Sequence, residues 1–198
     1  RNLSRGLGDV YKRQALGSGA FFAFLGGAPF VGSELFNLPP QNLGLYIGTT
    51  AFGYFLGNYL SGRYSIQVGI DMMVYLGLII AVFAMSCSLM ISFLGHGSAV
   101  SFFGLMAFAA VGNGLTMPNA AAGMMSVRPR LAGTASGFGG SITIAGGAAL
   151  SAAATTMLGP NSTETPLVFL MWLSVSGGLL CILYVRRSNK KLILYEPN

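Results

Sequence analysis

"LTMPNAAAGM", Leu115–Met124, closes an apolar run that starts near residue 98 and reads as one long helix. Pro118 sits inside that run, with Asn119 beside it and Asn113 a turn and a half earlier. Proline removes a backbone donor and clashes with the preceding turn. An asparagine amide is costly in apolar surroundings unless it finds a partner. A helix that only filled space would need neither. The run around them is long enough to cross a hydrocarbon layer about 30 Å thick, so the first question is whether the rest of the chain reads the same way.

It does. Of 198 residues, 53% are hydrophobic and only 8% charged, with mean hydropathy +0.66. Soluble domains carry about 25% charged residues; this chain has too few to cover a water-facing surface. The 29 glycines fit the close helix approach of membrane bundles. A net charge of +6 would point to nucleic acid in a soluble protein. Here the basic residues are few and fall between apolar runs, so nucleic acid is not an expected partner. Cys87 and Cys181 lie inside apolar runs and read as small hydrophobes.

The pattern predicts an all-α integral membrane protein with six spans, near 15–32, 41–61, 71–94, 98–125, 131–158 and 166–185. Residues 1–14, "RNLSRGLGDVYKRQ", do not match the rest of the chain and resemble a translated adaptor, a non-native lead. The six-helix bundle then occupies residues 15–187 and a tail residues 188–198. With six spans, Arg63, Arg128, Arg130, Arg186, Arg187, Lys190 and Lys191 all fall on one side, and Glu34, His96 and Glu164 on the other. The basic side is expected to be cytoplasmic, with both ends there.

No acid or base lies deep in a span, so no proton relay is visible. The polar content is amide and hydroxyl. Tyr46, Thr50, Tyr54 and Asn58 recur every fourth residue on one stripe of the second span, which could line a wet cavity or bond neighbouring helices. Thr49, Gly53, Gly57 and Ser61 form a small stripe beside it. In the fourth span Asn113, Thr116 and Met117 share a face, just ahead of a bend expected at Pro118; Asn119 is expected to serve packing or the hinge. In the first span Phe21, Phe22 and Phe24 precede a glycine-rich break with Pro29, and could meet apolar cargo or lipid. In the fifth, Gly133, Gly137 and Ser141 head one small-residue stripe, and Gly139, Thr143, Gly147 and Ser151 make a second. Two such stripes predict a helix wedged between two others. No metal-ligand spacing, nucleophile–base pair or phosphate loop stands out, so neither cofactor nor metal is expected.

"FAFLGGAPFV", "GRYSIQVGID", "TMPNAAAGM" and "RLAGTASGFGGSI" together resemble the C-terminal six-helix half of a major facilitator superfamily transporter, in its Bcr/CflA-type drug-resistance branch. The resemblance covers about Ala15 to Arg187 and is most specific from "TMPNAAAGM" to "GGSI". It implies a bacterial inner-membrane antiporter that exports a drug or small metabolite against protons by alternating access. It also implies that the coupling acid lies in the missing N-terminal half of the same chain. The substrate wall would draw on Phe21, Phe24, Tyr46, Thr50, Tyr54, Asn58, Asn113, Thr116 and Met117. The loop after the second span keeps only Gly62, Arg63 and Gly69 of the family's basic gating motif, with Asp71 at the next helix start. A sugar or metabolite transporter of the same fold, a membrane enzyme and a non-transporting partner subunit are the alternatives. The enzyme would need acids or histidines at the membrane edge, and the chain offers almost none.

Overall fold

A computed structural model describes residues 19–127, 132–159 and 162–193. The lead 1–14, Arg128 and Arg130, Asn161 and the end of the tail lie outside these residues. The described residues form helices and short connections, with no strand among them. The helices are α1 (Gly19–Leu35), α2 (Pro40–Val68), α3 (Ile70–Phe93), α4 (Ala99–Val127), α5 (Ala132–Met157) and α6 (Thr165–Ile193). Within α3, α4, α5 and α6 lie four segments long and apolar enough to cross a membrane. α1 is a shorter apolar helix over its described length. α2 has 29 residues, but its tyrosines, threonines, Asn58 and glycines keep it out of that class.

Two boundaries differ from the sequence expectation. The stretch after Ser61 is not a loop: α2 continues to Val68, so Gly62 and Arg63 stand on its last turns. Nothing between residues 61 and 68 breaks a helix. Gly69, at φ +90°, does so alone: its N–H bonds the Ser65 carbonyl at 2.9 Å and its carbonyl accepts from Met73 at 3.0 Å. A non-glycine residue would be strained at that φ. Asp71 then occupies the first turn of α3, where the helix dipole favours a carboxylate. At the other boundary, α1 runs past Pro29 to Leu35 and its last turn, Val31–Leu35, widens to a π-helix.

α4 is the centre of the packing, with 56% of its membrane-length window buried against 22–39% for the others. Its contacts rest on glycine. A Cβ on Gly53 would strike the Ala107 carbonyl oxygen, and one on Gly57 would strike that of Val111 and sit 2.9 Å from the Gly114 Cα. Gly114 in turn lies against the Tyr54 carbonyl, with Asn58 N 2.8 Å from its would-be Cβ. On the opposite flank Gly112 and Gly77 press on each other's carbonyl oxygens, joining α4 to α3. Residue numbers rise together along the α2–α4 contact, so these two helices run parallel.

α1 closes the bundle. Phe24 packs on Phe102 and Phe103 of α4, at ring separations of 6.1 and 5.9 Å. Gly26 meets the backbone of Ser151 on α5, Gly27 meets Leu167 on α6, and the Phe22 ring covers Gly147. Met85, Met106, Met171, Val168 and Val175 fill the core between them.

α5 departs from the wedged arrangement. Its second stripe is turned inward, with Gly139, Thr143 and Gly147 buried. The first is not: Gly133, Gly137 and Ser141 are exposed, and a Cβ on either glycine would meet nothing within 4 Å among the described residues. One face of α5 packs, on α1, α4 and α6, and the other is open among the described residues.

Substituting Gly57 by Leu should therefore cost about 1–3 kcal/mol, the range for overpacking a tight contact. Gly48→Leu, at an open position on the same helix, should cost almost nothing. Thermal unfolding in detergent, followed by helicity, compares the two directly.

Candidate functional site

Three elements converge one level down the bundle. Phe21 of α1 stacks on Tyr54 of α2, with ring centroids 5.7 Å apart and planes at 25°. Asn58 lies one turn further along α2, its Nδ2 donating to the Tyr54 carbonyl at 2.9 Å. Gly114 brings α4 against the same turn of α2, and so brings Asn113 to that level. Phe21, Tyr54, Asn58 and Met117 are all half-buried, neither closed into the core nor fully out of it.

The other expected residues divide. Phe24 is 1% exposed and belongs to the aromatic core. Thr116 is closed as well: its hydroxyl donates to the Gly112 carbonyl at 2.9 Å and lies over Gly77, in the α3–α4 contact. Tyr46 rests on Phe103 at 5.2 Å, a level above the Phe21–Tyr54 pair. Pro118 is half-buried, and α4 runs through it as one helix. The Asn119 Nδ2 donates to Ser61 Oγ and to the Leu115 carbonyl, each at 2.7 Å. Ser61 also lies 3.2 Å from the Ser65 hydroxyl. Asn119 thus ties α4 to α2 just where the proline ring interrupts the ladder.

Three buried side-chain atoms have no hydrogen-bond partner among the described residues: Thr50 Oγ1, Asn113 Oδ1 and Ser176 Oγ. Thr50 is 1% exposed and Asn113 7%. Nearly all buried polar groups in folded proteins are satisfied, and an orphan asks for a reason. Thr50 would ordinarily bond the carbonyl four residues back, but Thr49 Oγ1 already donates to the Tyr46 carbonyl at 2.7 Å. Ser176 carries no such signal in its sequence context, where "SVSGG" reads as helix packing.

A second polar cluster lies at the α3–α6 end. Ser92 Oγ donates to Glu164 Oε1 at 2.9 Å and lies 2.8 Å from the Thr165 hydroxyl. The Glu164 carboxylate also lies against the exposed backbone at Gly97. His96 is exposed and its Nδ1 lies 2.9 Å from the Leu94 carbonyl. No three His, Cys, Asp or Glu side chains come together as a metal site among the described residues. No protein-family model matches the chain, and comparison with curated proteins and with solved structures finds no match.

The satisfied and the orphaned groups should respond oppositely to removal. Asn119→Leu, which removes the bond from α4 to Ser61 of α2, should destabilise by about 0.5–1.5 kcal/mol. Thr50→Val keeps the shape and removes an unpaired hydroxyl, so its melting temperature should be unchanged or higher. Both are read by thermal denaturation in the same detergent.

Proposed function

We propose that the chain is one six-helix half of a membrane transporter that moves a drug or small metabolite by alternating access, in a bacterial inner membrane, with protons as the counter-ion. The observation that carries this reading is Asn113: a buried amide oxygen left without a partner among the described residues of an apolar bundle, level with the half-buried Phe21–Tyr54 stack. An unpartnered acceptor beside aromatic surface is what a site for an amphipathic molecule needs. The rings supply apolar contact, the amide orients a donor, and Met117 adapts to shape. In this reading Phe21, Tyr46, Tyr54, Asn58, Asn113 and Met117 form the wall, Thr50 waits behind it, and Phe24 and Thr116 hold it in place.

The resemblance to major facilitator transporters supports the same arrangement. In such folds two halves rock about a central site, and the second half supplies the rest of the cavity and the coupling acid. The open face of α5 and the half-buried faces of α1 and α2 would then look toward that half. The Asn119–Ser61 bond keeps α2 and α4 moving as one body.

Topology is testable on the chain as it stands. In a background with Cys87→Ser and Cys181→Ser, His96→Cys should react with an impermeant thiol reagent added to intact cells, and Gln67→Cys should not. Both positions are exposed. Labelling of Gln67→Cys from outside would refute the arrangement.

Function is testable in the transporter containing this half. Asn113→Ala should change which substrates are exported, with membrane abundance near normal. A uniform loss across chemically different substrates, in step with abundance, would make Asn113 a packing residue and leave the site without its central group.

A further inference from the structure

The buried apolar side chains of the bundle form two clusters, not one. The larger includes Met106 and Ala109 of α4 and reaches Val175 on α6. The smaller holds Ala120 of α4 with Leu179 and Ile182 of α6. In the interval between them α4 places Asn113 and Thr116, and α6 places Ser176, Gly177 and Gly178. Two of the three orphaned atoms, Asn113 Oδ1 and Ser176 Oγ, fall in this interval. The apolar core thus changes character here, and its polar groups go unmet where it does.

Neighbouring donors do not answer the Asn113 oxygen. Thr116 has one O–H, and it goes to the Gly112 carbonyl. Asn119 commits its Nδ2 to Ser61 and to the Leu115 carbonyl. Ser176 Oγ has no partner, so it does not reach Asn113 either. The unmet need is for a donor, in a residue that is 7% exposed. A guest ending in a carboxylate or phosphate would bring only more acceptors. It would also find no counter-charge, because the chain has no Lys, Arg or His from residue 15 to 62 or from 97 to 127, which covers α1, α4 and most of α2. Burying an anion unpaired is costly. The aromatic faces of Phe21 and Tyr54, by contrast, accept a neutral body or a cation.

We propose that the molecule moved through this site presents an N–H or O–H donor to the Asn113 amide oxygen, lays its apolar body against Phe21 and Tyr54, and carries no negative charge at the donor end. The inference rests on the transporter reading and adds to it the polarity of the guest and the sign of charge it excludes.

Four naphthalene probes of one shape differ only in the group that matters: naphthol has an O–H, methoxynaphthalene has none, naphthylmethylammonium has a charged donor, and naphthoate is an anion. Binding to the purified transporter containing this half is measured by equilibrium dialysis in detergent, from probe fluorescence against a protein-free blank. Naphthol should bind about two- to tenfold more tightly than methoxynaphthalene, the worth of one hydrogen bond, and naphthoate should bind most weakly. Asn113→Leu keeps the size but removes the acceptor, and should abolish the preference for naphthol. Asn113→Asp keeps an acceptor at the position. It should retain that preference and bind naphthylmethylammonium more tightly than the wild type does, and it carries the test if Asn113→Leu fails to fold.

Equal binding of naphthol and methoxynaphthalene by the wild type, or a preference that survives in Asn113→Leu, would overturn the donor assignment and leave the transporter reading standing. Naphthoate bound as tightly as naphthol would overturn the exclusion of anions. Failure of all four probes to bind above the blank would overturn the aromatic site itself, and the transporter reading with it.

Discussion

Backbone contact along α4 is the constraint on which the rest of the bundle depends. Gly112 meets Gly77 on one side, and Gly114 meets the Tyr54–Asn58 turn on the other. In hydrocarbon there is no water to expel when apolar helices meet, so close approach and dispersion must hold them together. That requires faces without side chains, and α2, α3 and α4 provide them at matching levels: Gly53 against Ala107, Gly57 against Val111 and Gly114, Gly77 against Gly112. Once those helices are locked, the Phe24–Phe102–Phe103 cluster determines where α1 can lie; α5 then packs on α1 through Gly26 and Phe22, and α6 lies on α3 through the Ser92–Thr165 and Trp172–Ser86 bonds.

The same tightness explains how the polar groups are treated. Pro118 deprives the Gly114 carbonyl of its usual donor, within the tight α2–α4 contact. Asn119 compensates nearby by bonding across to Ser61 and back to Leu115. Polar side chains that stabilise the bundle are thus bonded, mostly to carbonyls of their own helix. Asn113 Oδ1 and Thr50 Oγ1 are exceptions. An unmatched acceptor in a low-dielectric interior is a standing cost, and it is tolerated where a guest can relieve it. Within two turns of one helix, the Asn119 Nδ2 is committed to bonds that hold the bundle, whereas the Asn113 Oδ1 has no partner among the described residues.

The remaining apolar surface is uneven in the same informative way. α5 shows a stripe headed by Gly133, Gly137 and Ser141 to the outside, while a groove at α3 and α6 is lined with bulky side chains, Leu89, Met90, Phe93 and Trp172 among them, and braced by the Trp172–Ser86 bond. Small residues on an open face leave the backbone accessible to another helix; bulky ones keep it covered. These two faces therefore differ in what they can accept, although both are apolar.

Much of this was legible from residue types alone. Charge scarcity, mean hydropathy and run length were enough to read helices of membrane-spanning length, because the solvent is chosen by composition. The fourfold spacing of Gly53, Gly57 and Ser61 marked a packing face, since helical period places such residues in line. What sequence could not decide was which neighbour each face meets. Thr116 shares a face with Asn113 on a helical wheel, yet it packs on Gly77 and bonds Gly112. Gly133, Gly137 and Ser141 look identical in kind to the inward stripe of Gly139, Thr143 and Gly147, and only the packing of α1, α4 and α6 makes one stripe inner and the other outer. The extension of α2 to Val68 was hidden because polar residues there resemble a loop, when only Gly69 could end the helix. Periodicity records what a face is made of; its partner is selected by long-range packing, which depends on every other helix at once.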